Sequence, residues 1–167
     1  MFFRFWGVRG SIPVPGKETI KYGGNTTCIE VRGNNNEMVI LDAGTGIYQL
    51  GQHLMTRDQT DINIFISHTH WDHIQGLPMF QPNFLSNFNI NIFGAVDLES
   101  GLGIEERLTK QMDRHFFPIQ LGDLSAKINF IDIEEGSEIE IGSLKISSFQ
   151  FNHPIINLGY RVEDANN

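Results

Sequence analysis

The sequence predicts an α+β domain in which strands come first, helices occupy the middle and strands return. Three observations carry that reading. Short apolar runs bounded by turn residues recur in both the first and the last third of the chain. Two stripes of helical period lie between them. Histidines gather where strands end: His68, His70 and His73 follow one apolar run, and His153 follows another.

The elements can be taken in order. Residues 2–8 alternate aromatic with other side chains and read as a first strand. Gly7-Val-Arg-Gly-Ser-Ile-Pro-Val-Pro-Gly16 then makes a fixed, non-repetitive loop, which places Arg9 on a rim where an anion could meet it. Tyr22-Gly-Gly-Asn-Thr-Thr-Cys28 turns into a strand over 26–32. Arg32-Gly-Asn-Asn-Asn-Glu37 reads as a hairpin tip of residues that tolerate left-handed backbone. A strand over 37–42 runs into Leu41-Asp-Ala-Gly-Thr-Gly46. That turn lacks both the G-x-G-x-x-G pattern and a P-loop lysine, so phosphate cradling is the weaker reading. The stronger one places Asp42 at a strand end, ready to bond a neighbouring loop. Ile47, Leu50, Leu54 and Met55 form a helical stripe over 46–57, with His53 off it and facing solvent.

Ile62-Asn-Ile-Phe-Ile66 is a buried strand by length. Residues 76–86, interrupted by Pro78 and Pro82, read as a short helical stretch along one wall of a pocket. Asn89–Phe93 is a strand, and 102–113 a surface helix with Leu102, Ile104, Leu108 and Met112 inward. His115 reads as a loop histidine beside an aromatic plug. Strands follow over 127–133, 138–141, 144–151 and 158–162, the middle pair joined tightly through Ile141-Gly-Ser-Leu144.

The chemistry concentrates in Ser67-His-Thr-His-Trp-Asp-His73. Three imidazoles and a carboxylate within six positions suit zinc, manganese or iron, and are too nitrogen-rich for magnesium or calcium. His68 and His70, two apart, would converge on one ion. Asp72 and His73, past the turn, can face a second. His153 ends a strand as His68 does and is the candidate third ligand of the first ion. Asp42 is expected to orient ligating groups without touching metal.

Composition narrows the partners. In 167 residues there are 12 basic and 20 acidic side chains, a formal charge of −8. That argues against a broad nucleic-acid surface, which needs clustered Lys and Arg. A small phosphate-bearing substrate stays open, because metal ions can supply local positive charge. Thirteen Phe against two Trp suggest a phenylalanine-rich core. The lone Cys28 has no internal disulfide partner and reads as a small apolar strand residue. No apolar run reaches the ~18 residues of a membrane span, and the first residues are no secretory leader, so a cytoplasmic location is the default expectation.

The spacing H-x-H-x-D-H resembles the metal-binding signature of the metallo-β-lactamase superfamily. So do Gly7-Val-Arg-Gly-Ser-Ile-Pro13, Tyr22–Val31, Leu41-Asp-Ala-Gly-Thr-Gly46 and Asn152-His-Pro154 with Leu158-Gly-Tyr-Arg161. Together they look closer to ribonuclease Z and related phosphodiesterases than to the lactamases. The resemblance implies an αββα four-layer sandwich with a dinuclear metal site at one edge of its sheets. It implies that His68, His70 and His153 hold one metal, that Asp72 and His73 begin the second site, and that Asp42 supports the loop. A complete member continues to a bridging aspartate, more strands and helices, and a final histidine. No histidine follows His153, and Asp164 follows its strand too closely to bridge. Residues 1–167 are therefore expected to be one hydrolase domain without its C-terminal portion, and weak in its second metal position.

The function expected from this is metal-dependent hydrolysis of a phosphodiester, a cyclic nucleotide or another small one. Two divalent ions, zinc first and manganese or iron as alternatives, would activate the attacking water, and Asp72 would both bind metal and orient that nucleophile. Two other readings remain. One is a thioester or lactone hydrolase on the same centre. The other is a non-catalytic domain that keeps the fold for binding. No membrane partner is expected, and a homo-oligomer is admissible.

Overall fold

The computed structural model describes residues 1–165; the domain end expected at Asn167 lies outside the described residues. Six strands form the larger sheet in sequence order: β1 (Phe2–Gly7), β2 (Cys28–Arg32), β3 (Met38–Leu41), β4 (Asp61–Phe65), β5 (Asn89–Ala95) and β6 (Lys127–Ile133). The first two pairings are antiparallel; β3–β4, β4–β5 and β5–β6 are parallel. Each parallel pair needs a crossover on one face, and the helices supply part of that. Helix α1 (Gly46–Leu54) joins β3 to β4, α2 (Trp71–Ile74) follows β4, and α3 (Ile104–Gln111) lies between β5 and β6. A second sheet is a meander of β7 (Glu138–Ile141), β8 (Leu144–Gln150) and β9 (Leu158–Asp164), all antiparallel.

Strand alternation sorts the core into two layers. Ile62, Ile64 and Ile66 point to one face, where they meet Ile47, Leu50 and Leu54 of α1, Ile74 of α2, and Ile104 and Leu108 of α3. Val39, Phe65, Phe93 and Ile133 point to the other, against Leu144, Ile146 and Leu158 of the small sheet. The result is a mixed α/β molecule in three layers: helices, large sheet, small sheet. All three helices bury their apolar residues on the same side, so the outer helical layer of the expected sandwich is not among the described residues.

Several expectations are corrected. The core is built mainly of isoleucine and leucine, with Phe65, Phe80, Phe88 and Phe93 among them, while Phe2, Phe3, Phe5, Phe116, Phe149 and Phe151 are exposed. Helix α1 stops at Leu54 and leaves Met55, its C-cap, exposed. His53 is half-buried, with its ring 5.4 Å from Trp6, and not free in solvent. Burial and then the charges of Arg57 and Arg4 pull its pKa down. Residues 77–84 form two 3₁₀ turns that bury Leu77, Pro78, Phe80 and Pro82. Leu77 and Phe80 join the helix-side core, where the segment packs on α1. Cys28 is fully buried in β2 as expected, its thiol pushed well up by burial and then by the charges of Asp42 and Glu30.

Candidate metal centre

The site forms where β4 leaves the sheet. Parallel strands end together at one edge, so the β4 exit lies beside those of β3 and β5. Phe65 O accepts from Asp42 N (2.9 Å), and Phe93 O accepts from Ile66 N (2.8 Å). The chain then turns through Ser67–His70 into α2, where His73 N donates to His70 O (3.0 Å). The segment after β3 packs backbone against backbone on this loop: Ala43 N donates to His73 O (2.7 Å) and Gly76 N to Ala43 O (3.0 Å). A side chain on Gly44 would stand 2.3 Å from Asp72 O, so only glycine lets the two segments approach this closely.

His68, His70 and His153 meet at this edge. His68 Nε2 and His153 Nε2 each lie 3.1 Å from His70 Nδ1, and one donor atom from each ring falls within 4.8 Å of the others. Ligand nitrogens about 2.0–2.1 Å from one tetrahedral ion stand about 3.4 Å apart, so these spacings fit a shared ion. The donor set is all imidazole, which suits zinc, manganese or iron. The three rings could therefore hold a metal ion, with His68 buried and His153 exposed. His153 reaches the site because the small sheet docks on the β4 end. Leu158 N donates to Ser67 O (2.9 Å), and Tyr160 Oη donates to Ile66 O (2.7 Å).

Asp42 governs the polarity of the loop. It sits at φ +63°, a left-handed conformation that aspartate tolerates better than most residues. Its Oδ1 accepts from Ser67 N and Ser67 Oγ, both at 2.8 Å, and its Oδ2 lies 2.7 Å from His73 Nδ1. A carboxylate can only accept, so His73 carries its proton on Nδ1. Ser67 Oγ spends its own proton on Asp42, so it accepts from His68 Nδ1 at 3.1 Å. In its neutral form each imidazole thus turns an unprotonated Nε2 toward the centre. Burial, followed by the neighbouring His73, His153 and His70, pushes the His68 pKa down to about 3, which keeps that nitrogen free of a proton near neutrality. Burial acts the same way on His73, but the bond to Asp42 and the charges of Asp42 and Asp72 outweigh it and raise its pKa.

Asp72 faces His73, with Oδ2 3.6 Å from Nε2. The same oxygen accepts from Ser11 N at 2.7 Å. Burial opposes the carboxylate form, yet the Ser11 amide and the charge of His73 hold the pKa below its usual value. Asp72 and His73 are thus side by side, next to the histidine trio and outside it.

The remaining histidines lie elsewhere. His115 is an exposed loop residue paired with Asp113 at 2.7 Å, and His53 lines a groove of about 680 Å³ with Arg4, Glu30, Arg32 and Arg57. That groove reaches Asp61 at the opposite end of β4 from the histidines. Sequence reading missed Ser67, Tyr160 and Arg107 as supports. Arg107 donates to Ala95 O, to Gly103 O (3.2 Å) and weakly to Thr69 Oγ1 (3.5 Å), and so braces the residue between His68 and His70. Asp164 is buried and accepts from Asn34 N (2.9 Å) at the far end of the small sheet.

Comparison with known proteins bears on the family and the fold. The model of the beta-lactamase superfamily domain matches residues 37–167. A ribonuclease Z from Oenococcus oeni is 29% identical over 143 residues, covering 83% of this chain and 43% of that protein. The chain spans about half the length of the curated relatives it matches. Among solved structures, a diphosphatase of the PhnP family superposes with a TM-score of 0.62 at 16% identity, over 96% of this chain and 61% of that one. Zinc-bound PqqB from Methylobacterium extorquens does so at 0.60 and 15%, over 97% and 58%. At those identities the likeness is one of fold, but the family match takes in both the β4 exit loop and His153, and by it the chain belongs to the beta-lactamase superfamily.

Proposed function

We propose that this chain carries the metal-binding half of a phosphodiester-hydrolysing site. The observation that supports it is the convergence of His68, His70 and His153 beside Asp72 and His73. His68, His70 and His153 would hold one divalent ion, zinc in the first place, and Asp72 with His73 would contribute to a second. Bound there, such ions supply Lewis acidity toward a phosphoryl oxygen and make a nearby water more acidic. The residues do the rest. Asp42 and Ser67 fix the two tautomers, and His68, with its lowered pKa, has no proton to lose before it ligates, whereas the raised pKa of His73 makes its ligation release one. Asp72, held ionised, can accept a hydrogen bond from the attacking water and orient its lone pair. The named likenesses to a ribonuclease Z and a diphosphatase favour phosphoester chemistry over the thioester and lactone alternatives.

The test joins two measurements on purified protein. Metal content by elemental analysis should show at least one equivalent of zinc, manganese or iron, lost in His70→Ala. Turnover of bis(p-nitrophenyl) phosphate should exceed that of a thioester and a lactone panel. Faster thioester or lactone cleavage would move the function to that class. Bound metal with no turnover of any substrate would favour a binding domain.

A further inference from the structure

The loop between β1 and β2 is not absorbed by the account above, although it touches the centre. Its Ser11 amide is the group that bonds Asp72. Ser11 does so from φ +72°, a left-handed conformation that a residue with a side chain seldom adopts and that the surrounding contacts must hold. Those contacts are close. Val8 N and Arg9 N both donate to Asn25 O (3.1 and 3.0 Å), and Val14 N donates to Gly24 O (3.0 Å). The backbones touch so tightly that a Cβ on Gly7 would stand 1.8 Å from Thr26 O, and one on Gly24 2.1 Å from Val14 O. The loop is a built part of the rim.

Arg9 stands two residues before Ser11 on this loop and is exposed. Its Nε donates to Ile12 O at 3.0 Å, which folds the side chain back over the same turn that touches Asp72. Its two Nη groups, with four N–H donors, are left for solvent or a ligand. Among the described residues no carboxylate lies within ion-pair distance of it. Arg107 also reaches the metal loop, but spends its donors on Gly103 O, Thr69 Oγ1 and Ala95 O. The immediate surroundings of the histidines carry Asp42 and Asp72. A positive fork at the entrance offsets these carboxylates where an anionic substrate enters, in addition to the charge of any bound ion. A neutral ester gains much less.

We propose that Arg9 is the specificity-determining residue of the site: its Nη donors bind a non-bridging oxygen of an anionic phosphoester held over the histidine trio, and select that class over neutral esters. The inference rests on the hydrolase reading above. Arginine suits the task because its planar fork matches phosphate oxygens, where lysine offers only a point charge.

The test compares wild type, Arg9→Ala and Arg9→Lys, each loaded with zinc. Two readouts are taken: kcat/KM for bis(p-nitrophenyl) phosphate and for p-nitrophenyl acetate, and the affinity for inorganic phosphate by titration calorimetry. Arg9→Ala should lower the ratio of phosphodiester to acetate kcat/KM by ~10–100-fold, the worth of a charge-assisted hydrogen bond. It should weaken phosphate by a similar factor, and Arg9→Lys should recover only part of each. An unchanged ratio with unchanged phosphate affinity overturns the proposal, provided melting temperatures match. If wild type hydrolyses nothing, the hydrolase reading fails, and the phosphate titration alone still decides the role of Arg9: equal affinity in wild type and Arg9→Ala refutes it.

Discussion

At the scale of single residues, Asp42 does the most for the site without belonging to the trio. One carboxylate accepts from the Ser67 amide, the Ser67 hydroxyl and His73 Nδ1, and through Ser67 it also sets the proton of His68. Replacing it with alanine leaves the Ser67 hydroxyl free to turn and removes the acceptor that fixes His73. Zinc affinity of Asp42→Ala should fall ~10–100-fold, read by competition with a chelating dye. Asp42→Asn keeps tolerance of the left-handed backbone and one acceptor oxygen, so it should fall between the two. An alanine variant with wild-type affinity would show that the loop holds its imidazoles unaided. The contact of Asp42 with the loop was legible because a carboxylate at one strand end lies next to whatever leaves the neighbouring strand. The clustering of His68, His70, Asp72 and His73 was legible because their spacing is local. Tyr160, 94 positions from the carbonyl it binds, leaves no local mark and was not found.

At the scale of elements, the site depends on how the small sheet sits on the large one. Phe65 stacks on Phe93 at 4.3 Å, its partner in the parallel register, and Tyr160 meets Phe65 edge-on at 5.3 Å. The same tyrosine bonds Ile66 O, one residue before Ser67, and burial pushes its pKa well up, so the hydroxyl stays a donor. Tyr160→Phe keeps the ring contact and leaves Ile66 O without its partner. Stability to urea should drop by ~1–3 kcal/mol, and zinc affinity should drop with it because His153 is carried by the same sheet. A second device lies within the large sheet. Asn63, Asn91 and Asn129 stand in register on β4, β5 and β6, and their amides form a ladder, each step 2.9 Å. Asn91→Ala breaks both steps and leaves a largely buried Asn63 oxygen without that donor, so it should cost ~1–3 kcal/mol in the same assay and spare metal affinity. A ladder exists only once register is known, and register is not written in any one strand. The phenylalanine count misled for a related reason: composition does not say which face of β1 is covered, and Phe3 and Phe5 lie on the sheet-facing side beyond the reach of the small sheet's strands.

At the scale of the whole molecule, two sheets are pinned at both ends. One end is the metal edge, through Leu158 and Tyr160. The other is the hairpin tip before β3, where Asn34 N donates to Asp164, and where Glu37 Oε1 accepts from Ser143 N (2.8 Å) in the β7–β8 turn. Glu37 also accepts from Asn35 N (3.1 Å), so its carboxylate joins the tip of one sheet to the turn of the other. The Ser143 amide, first among several hydrogen bonds, holds the Glu37 pKa below its ordinary 4.5. The sign of the consequence follows from which form is bound. A carboxylate with a depressed folded pKa contributes stability that is fully present above 4.5 and is lost as pH falls through the folded value. Glu37→Gln removes the titrating group while keeping an acceptor oxygen. Urea midpoints of the two proteins should therefore differ most near neutrality, with wild type the more stable, and should converge as pH is lowered past 4.5. The exposed position makes the gap small, so it should close in 1 M salt only in part, since the hydrogen bonds persist when the charge is screened. A gap that stays constant from neutrality to pH 3 would mean that the tie between the sheets does not depend on the ionised form. In that case the pairing of tip and turn rests on shape and on Asn34–Asp164 alone.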